Sequence, residues 1–216
     1  MIKKLTIYGE RCSGTNYLEE LITANFDVNI TWEYGWKHFF GFNDLSNTDE
    51  TLFIGIIRNP YDWINSFYRE QHHLPKYFTN IDNFLNSEII SFDASDNEIM
   101  DDRNMHTKER YKNIFELRNT KFKFLTEDMP SLVKNYLLIT YDDLLNMFNN
   151  TIDKIKDKGL IVKSGINYPV NIKYYKKTDT LFEKDKKINY ISSDKITNRL
   201  NIEYESTLFE FKYKTV

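Results

Sequence analysis

Lys4-Leu-Thr-Ile-Tyr8 runs directly into Gly9-Glu-Arg-Cys-Ser-Gly-Thr15, and residues 15–25 then place Leu18, Leu21 and Ile22 on one helical face. Strand, glycine-bounded loop and helix in that order form the opening unit of an α/β sheet, in a P-loop-like arrangement. Two glycines allow backbone N–H groups to turn inward, and the helix that follows offers its positive end to the same point. Arg11, Ser13 and Thr15 add side-chain donors. Taken alone, the loop reads equally as an anion cradle or as an ordinary strand-to-helix turn.

Later segments repeat the alternation. Leu52-Phe-Ile-Gly-Ile-Ile57 is a continuous apolar run, as expected of a strand covered on both faces. Asn59-Pro60 then predicts a helix with Asn as cap and Pro in its first position, running to about residue 73. Tyr136-Leu-Leu-Ile-Thr140 predicts another strand, followed by a helix over about 142–158, and residues 111–127 predict a further helix. Residues 30–32 and 36–40 read as short strands around a turn at Gly35. Together these predict a three-layer α/β fold with a central parallel sheet and right-handed crossovers.

At 216 residues the chain has room for one domain, and 41% apolar with 28% charged residues can bury a substantial core. A single domain over 1–216 is expected. Residues 88–109 hold seven acidic and two basic residues with little periodicity, so 88–110 reads as an acidic insertion or lid, or more plainly as a solvated loop. Residues 153–187 reverse the balance, with ten Lys against five acids. A net charge of −3 argues against broad nucleic-acid binding. The run at 52–57 is far too short to span a membrane, and the amino terminus has no signal-peptide apolar core. One cysteine rules out an internal disulfide, and no Cys/His cluster has zinc spacing. The expectation is a soluble, cytoplasmic protein that needs no metal and has no nucleic-acid or membrane partner.

The chemistry narrows at two places. A nucleotide kinase would close the first loop with Gly-Lys-Ser/Thr, whereas Gly14 is followed by Thr15-Asn16; the second buried strand ends in Arg58 rather than a magnesium-holding Asp. Arg58 falls at the carboxyl end of a central strand, the edge where open α/β sheets bind ligands. Ser66 follows eight positions on, about two turns into the next helix. Together they would hold a second phosphate, Arg58 by its fork and Ser66 by its hydroxyl. A structural ion pair and a helix-surface serine are the plainer alternatives.

A strand–anion loop–helix followed by strand-Arg-x7-Ser resembles the sulfotransferases that use 3′-phosphoadenosine 5′-phosphosulfate (PAPS). The resemblance implies that Arg11, Cys12, Ser13, Gly14, Thr15 and Asn16 grip the 5′-phosphosulfate and that Arg58 and Ser66 grip the 3′-phosphate. Lys37-His38 is similar to the family's Lys-x-His at a strand end, and Tyr136-Leu-Leu-Ile-Thr-Tyr-Asp-Asp-Leu144 to its strand followed by Tyr-Glu-x-Leu. The implied reaction is in-line sulfuryl transfer to a hydroxyl of a glycan or small molecule, leaving 3′,5′-diphosphoadenosine (PAP), with His38 as base and Glu10 as the runner-up. The chain departs from the pattern at Cys12, where the family carries the lysine that stabilises the departing oxygen. Arg11 beside it or Lys37 from the neighbouring segment would supply that charge, though neither duplicates a loop lysine. The family's later Arg-Lys-Gly loop is absent; Lys173, Lys176 and Lys177 are its stand-ins or a solvated basic face. The alternatives are a PAP-binding module of the same fold without catalysis, and more remotely an atypical P-loop kinase.

The remaining candidates read more plainly. His72 and His73, late in the second helix, would line an acceptor cleft or, more plainly, lie at the surface, and His106 is expected in solvent. A helix amino end lowers a thiol pKa, but Cys12 has no histidine partner fixed by sequence, which disfavours it as a nucleophile. Trp32, Tyr34, Trp36, Phe39, Phe40 and Phe42 read as an acceptor pocket or as core.

Overall fold

The computed structural model describes residues 2–172 and 190–209, so Lys173, Lys176 and Lys177 lie outside the described residues. Four strands, β1 (Lys4–Gly9), β2 (Asn29–Ile30), β3 (Thr51–Ile57) and β4 (Tyr136–Thr140), form one parallel sheet in the order β2-β1-β3-β4. β1 pairs with β3 along the whole length of β1, from Lys4 opposite Thr51 to Gly9 opposite Ile56. Parallel pairing requires crossovers, and the helices that supply them cover the sheet.

The period-two alternation of strand side chains sorts the core into layers. Leu5 and Ile7 of β1 and Leu52, Ile54 and Ile56 of β3 pack on one face with Leu18, Leu21 and Ile22 of α1 (Thr15–Asn25). Leu144 of α6 (Tyr141–Asn146) and Ile152 and Ile155 of α7 (Phe148–Lys156) complete that layer. Tyr8, Phe53 and Ile57 face the other way, onto Phe122 of α4 (Ile114–Lys123), Phe124 and Leu125 of the π-helical turn that follows it, and Met129 of α5 (Met129–Leu132). The fold is therefore three-layered α/β around a central parallel sheet. A third cluster lies beyond the carboxyl end of β3. It joins Trp63, Ile64 and Phe67 of α2 (Pro60–Arg69) to Phe84 and Leu85 of α3 (Ile81–Asn86), to α4, and to Ile196 of α8 (Ser193–Thr197). The last described helix is α9 (Ile202–Glu205).

Local signals set several boundaries as expected. Asn59 caps α2, its Oδ1 accepting the Tyr61 N–H at 3.1 Å, with Pro60 in the first position. Three expectations are corrected. Residues 36–40 form turns rather than a strand; Gly35 and Gly41, at φ 114° and 96°, turn the chain on either side, and the stretch meets β1 through one backbone bond, Gly9 N–H to the Lys37 carbonyl at 2.9 Å. α2 stops at Arg69, leaving His72 and His73 in a turn where His73 is left-handed (φ 68°) and Pro75 disfavours helix just before it. The helix expected over 142–158 breaks at Met147 (φ −125°, ψ 42°) into α6 and α7. The acidic segment 88–109 is more than a solvated loop, because Ser91, Asp102, Asn104 and Met105 within it are buried. His106 is exposed, as expected. No helix among the described residues is long and apolar enough to cross a membrane.

Candidate functional site

The loop between β1 and α1 is built by close approach. A Cβ on Gly9 would lie 2.7 Å from the Ile56 carbonyl oxygen and from Ser13 Oγ, so only glycine lets the loop fold back against β3. Ser13 closes the turn, its N–H and hydroxyl both donating to the Glu10 carbonyl, at 3.1 and 2.6 Å. Cys12 and Gly14 adopt left-handed backbone (φ 63° and 95°), and a Cβ on Gly14 would meet the Tyr141 ring at 2.3 Å. Gly14 is the cap residue of α1 and brings no side chain to the first-turn N–H groups. Those groups have no acceptor within the helix, and the macrodipole adds partial positive charge there.

Beneath the loop lies a buried set of charges. Arg118 of α4 binds Glu10 Oε2 through Nη1, Glu205 through Nε and Nη2 at 2.7 and 2.9 Å, and the Arg58 carbonyl through Nη2 at 3.0 Å. Arg11 turns away from the loop's mouth. Its guanidinium binds Asp102 Oδ2 at 2.5 Å, Ser91 Oγ at 2.9 Å and the His72 carbonyl at 3.3 Å, and lies 4.9 Å from the Phe67 ring centre. Trp63 Nε1–H holds the Arg11 carbonyl at 2.7 Å. Lys121 donates to Asp102 Oδ1 at 2.9 Å and to the His38 carbonyl at 2.7 Å. Burial alone would raise the Asp102 pKa, but the charges of Arg11 and Lys121 hold it below its ordinary value. Burial pushes the Glu10 carboxyl up against the opposing charge of Arg118, and among the described residues its buried Oε1 has no hydrogen-bond partner. Glu10 is thus sealed under the loop at 1% exposure.

The mouth of the loop is different. Lys37 reaches the start of α1, donating to Asn16 Oδ1 and, at 3.0 Å, to Glu19 Oε2, with its ammonium 5.3 and 5.0 Å from the Trp32 and Trp36 ring centres. The next residue, His38, sets its Nδ1 2.8 Å from the Gly9 carbonyl. A carbonyl only accepts, so Nδ1 carries the proton and Nε2 keeps its lone pair. Burial depresses the ring's pKa to about 3, and nearby Arg11, Lys37 and Lys121 push the same way. The imidazole is neutral at pH 7. Arg58 is half-buried at the end of β3, its Nη1 donating to the Cys12 carbonyl at 3.0 Å and its guanidinium 4.8 Å from the Tyr141 ring centre. Among the described residues its buried Nε has no partner and no carboxylate pairs with it. The Cys12 thiol donates to the Glu70 carbonyl at 3.8 Å, and burial pushes it up to about 11 against the lowering influence of Arg11, Arg58 and the nearby Ser66 hydroxyl, so the cysteine is a thiol and not a thiolate.

The fold therefore brings Lys37, His38, Arg58 and Ser66 to one loop, with Cys12, Ser13, Gly14, Thr15 and Asn16, and places Arg11 and Glu10 under it. Of the aromatic cluster, Tyr34 and Phe40 are core, whereas Trp36 is 45% exposed. Asp102, Arg118, Lys121 and Glu205 escaped sequence reasoning, since nothing in the sequence marks a charged residue in an acidic stretch or an amphipathic helix as buried. Tyr141 carried a signal, as part of the stretch that follows β4.

No protein-family model matches the chain, and no curated protein matches it. Among solved structures it is similar to that of the mouse sulfotransferase SULT7A1 complexed with PAP, at 16% identity and a TM-score of 0.43. The match covers 74% of this chain and 60% of that one.

Proposed function

We propose that this chain is a sulfotransferase that moves the sulfuryl group of PAPS onto a hydroxyl of a glycan or small molecule. The observation that carries the reading is Arg58. It is a half-buried guanidinium beside the first loop, and among the described residues its buried Nε–H has no acceptor and no carboxylate balances its charge. Burying an unpaired cation is costly, and an anionic ligand repays that cost. In this reading Arg58 and Ser66 take the 3′-phosphate, and the loop and first turn of α1 take the 5′-phosphosulfate. The absent Gly-Lys-Ser/Thr and strand-end Asp weigh against an ATP-magnesium kinase.

The acceptor oxygen bonds to sulfur while the sulfur–oxygen bond to the 5′-phosphate breaks and PAP leaves. The hydroxyl proton passes to Nε2 of His38. A base of such low proton affinity accepts the proton late, once bond formation has made the hydroxyl acidic, and the bound anions raise its affinity. Lys37, held at the start of α1, supplies the charge that a lysine at position 12 would bring to the departing oxygen. Arg11, spent on Asp102, shapes the loop, and Glu10, locked to Arg118, takes no part in proton transfer.

Calorimetric titration with PAP, ADP and ATP, each with and without magnesium, tests the site. PAP should bind without metal and about tenfold to a hundredfold tighter than ADP, the worth of charge-assisted bonds to one phosphate. Equal binding of PAP and ADP overturns the reading, and a preference for ATP with magnesium points to the kinase. Cys12 in the lysine position favours the second reading, a PAP-binding module without turnover. Sulfate transfer to any acceptor in a screen removes it.

A further inference from the structure

The segment 88–109 reaches the site through one side chain. Asp102, 4% exposed, divides its two oxygens: Oδ2 takes Arg11 and the Ser91 hydroxyl, each at 2.5 Å, and Oδ1 takes Lys121 at 2.9 Å. Lys121 is itself buried among the rings of Phe39, Phe40 and Tyr111, and its second bond goes to the His38 carbonyl at 2.7 Å. On the other side of the same residue, the Lys37 carbonyl takes the Gly9 N–H, and the His38 ring returns a bond to the Gly9 carbonyl. The stretch around His38 is turn, not strand, so no ladder holds it. Its orientation depends on these few bonds.

We infer that Asp102 is a positioning residue for His38: through Lys121 it fixes the His38 peptide, which holds the imidazole on Gly9 with Nε2 free, and it makes segment 88–109 a buttress of the site. A carboxylate serving two buried cations is the right group for this. Each oxygen serves one cation, so the single carboxylate holds Lys121 in register with Arg11. An amide at this position has one acceptor oxygen and an NH2 that repels both cations, so at least one of the two contacts is lost.

The inference rests on the preceding reading only in giving His38 work as a base, and its test has a readout that does not involve turnover. The chain has four histidines, so ¹⁵N-histidine spectra resolve them, and His38→Ala identifies the signal of interest. In the wild type, His38 should be a single neutral Nδ1–H tautomer. Asp102→Asn should mix in the Nε2–H form, and so should Lys121→Met, which cuts the link to His38 while leaving Arg11 on Asp102. Lys121→Met answers the question alone if Asp102→Asn does not fold. Ser91→Ala, which removes neither cation, should leave the His38 signal as it is. With PAPS and an acceptor, Lys121→Met should lower kcat on the order of 10- to 100-fold, the usual cost of a misplaced catalytic group. PAP affinity should stay at the wild-type value, and Lys121→Met should add nothing in a His38→Ala background.

A single Nδ1–H tautomer retained in both Asp102→Asn and Lys121→Met overturns the inference even if the wild type transfers sulfate. A tautomer shift in a protein that transfers sulfate to no acceptor upholds the positioning and defeats the role of His38 as a base.

Discussion

Arg118 and Arg58 stand on opposite sides of the same loop and are treated in opposite ways. Arg118 is fully buried and bound by two carboxylates, and it also holds the carbonyl of Arg58. Arg58 is half-buried, stacked on Tyr141, and has one backbone acceptor. The same division runs through the region. Below the loop, Arg11, Lys121 and Arg118 meet Asp102, Glu10 and Glu205, three cations against three acids. At the mouth, His38 keeps a lone pair and Arg58 keeps an unused donor. Charges that satisfy one another define a shape, and charges left partly unsatisfied define what the shape can hold.

The largest effect should come from breaking the lower set. Arg118→Met keeps most of the side-chain volume but strands Glu10 and Glu205, which should cost about 3–5 kcal/mol of stability, read from urea unfolding. A loss below about 1 kcal/mol would mean the acids there find other partners. At the mouth the cost should fall on binding. Arg58→Ala should weaken PAP about ten- to a hundredfold, leave AMP unchanged and shift unfolding by less than about 1 kcal/mol. Equal losses for PAP and AMP would erase the distinction between the two arginines.

His38 sharpens the comparison through pH. Its folded pKa of about 3 lies below the unfolded value near 6.5, so the unfolded chain binds a proton that the fold refuses. Its contribution to stability is complete above about pH 6.5 and declines as pH falls toward 3. At pH 5 the loss should approach about 2 kcal/mol, an upper bound because the ring retains some solvent contact. Glu10 acts with the opposite sign. Its raised pKa stabilises the fold at low pH and less as pH rises. The informative quantity is therefore the difference between wild type and His38→Gln at pH 7 and pH 5. A difference that does not change with pH would place the ring in water. The smallest effect belongs to Ser66→Ala, which should weaken PAP about threefold to tenfold with stability unchanged, the value of one hydroxyl bond.

The segments legible in the sequence share one property: their signal is local. β1 and the first loop declare themselves within twelve residues, β3 by an unbroken apolar run, and α2 by Asn59-Pro60. Arg58 and Ser66 were legible as a spacing because strand end and helix follow each other directly. The short segment 36–40 misled, since apolar residues at alternating positions serve a turn packed on β1 as well as a strand. The acidic segment stayed open between lid and solvated loop for another reason. Asp102 has the same composition signature as Asp101 beside it, yet one is buried under two cations and the other is exposed.

What the sequence by itself determined is the parallel α/β framework and the order of the first loop, Arg58 and Ser66 along it, because backbone preferences, glycine placement and apolar periodicity act over a few residues. What only the tertiary structure decided is which charges are spent and which are kept. Glu10 and Arg118 are 108 positions apart, Arg11 and Asp102 91. A buried ion pair is a property of two distant side chains losing water together, and neither one carries that information alone.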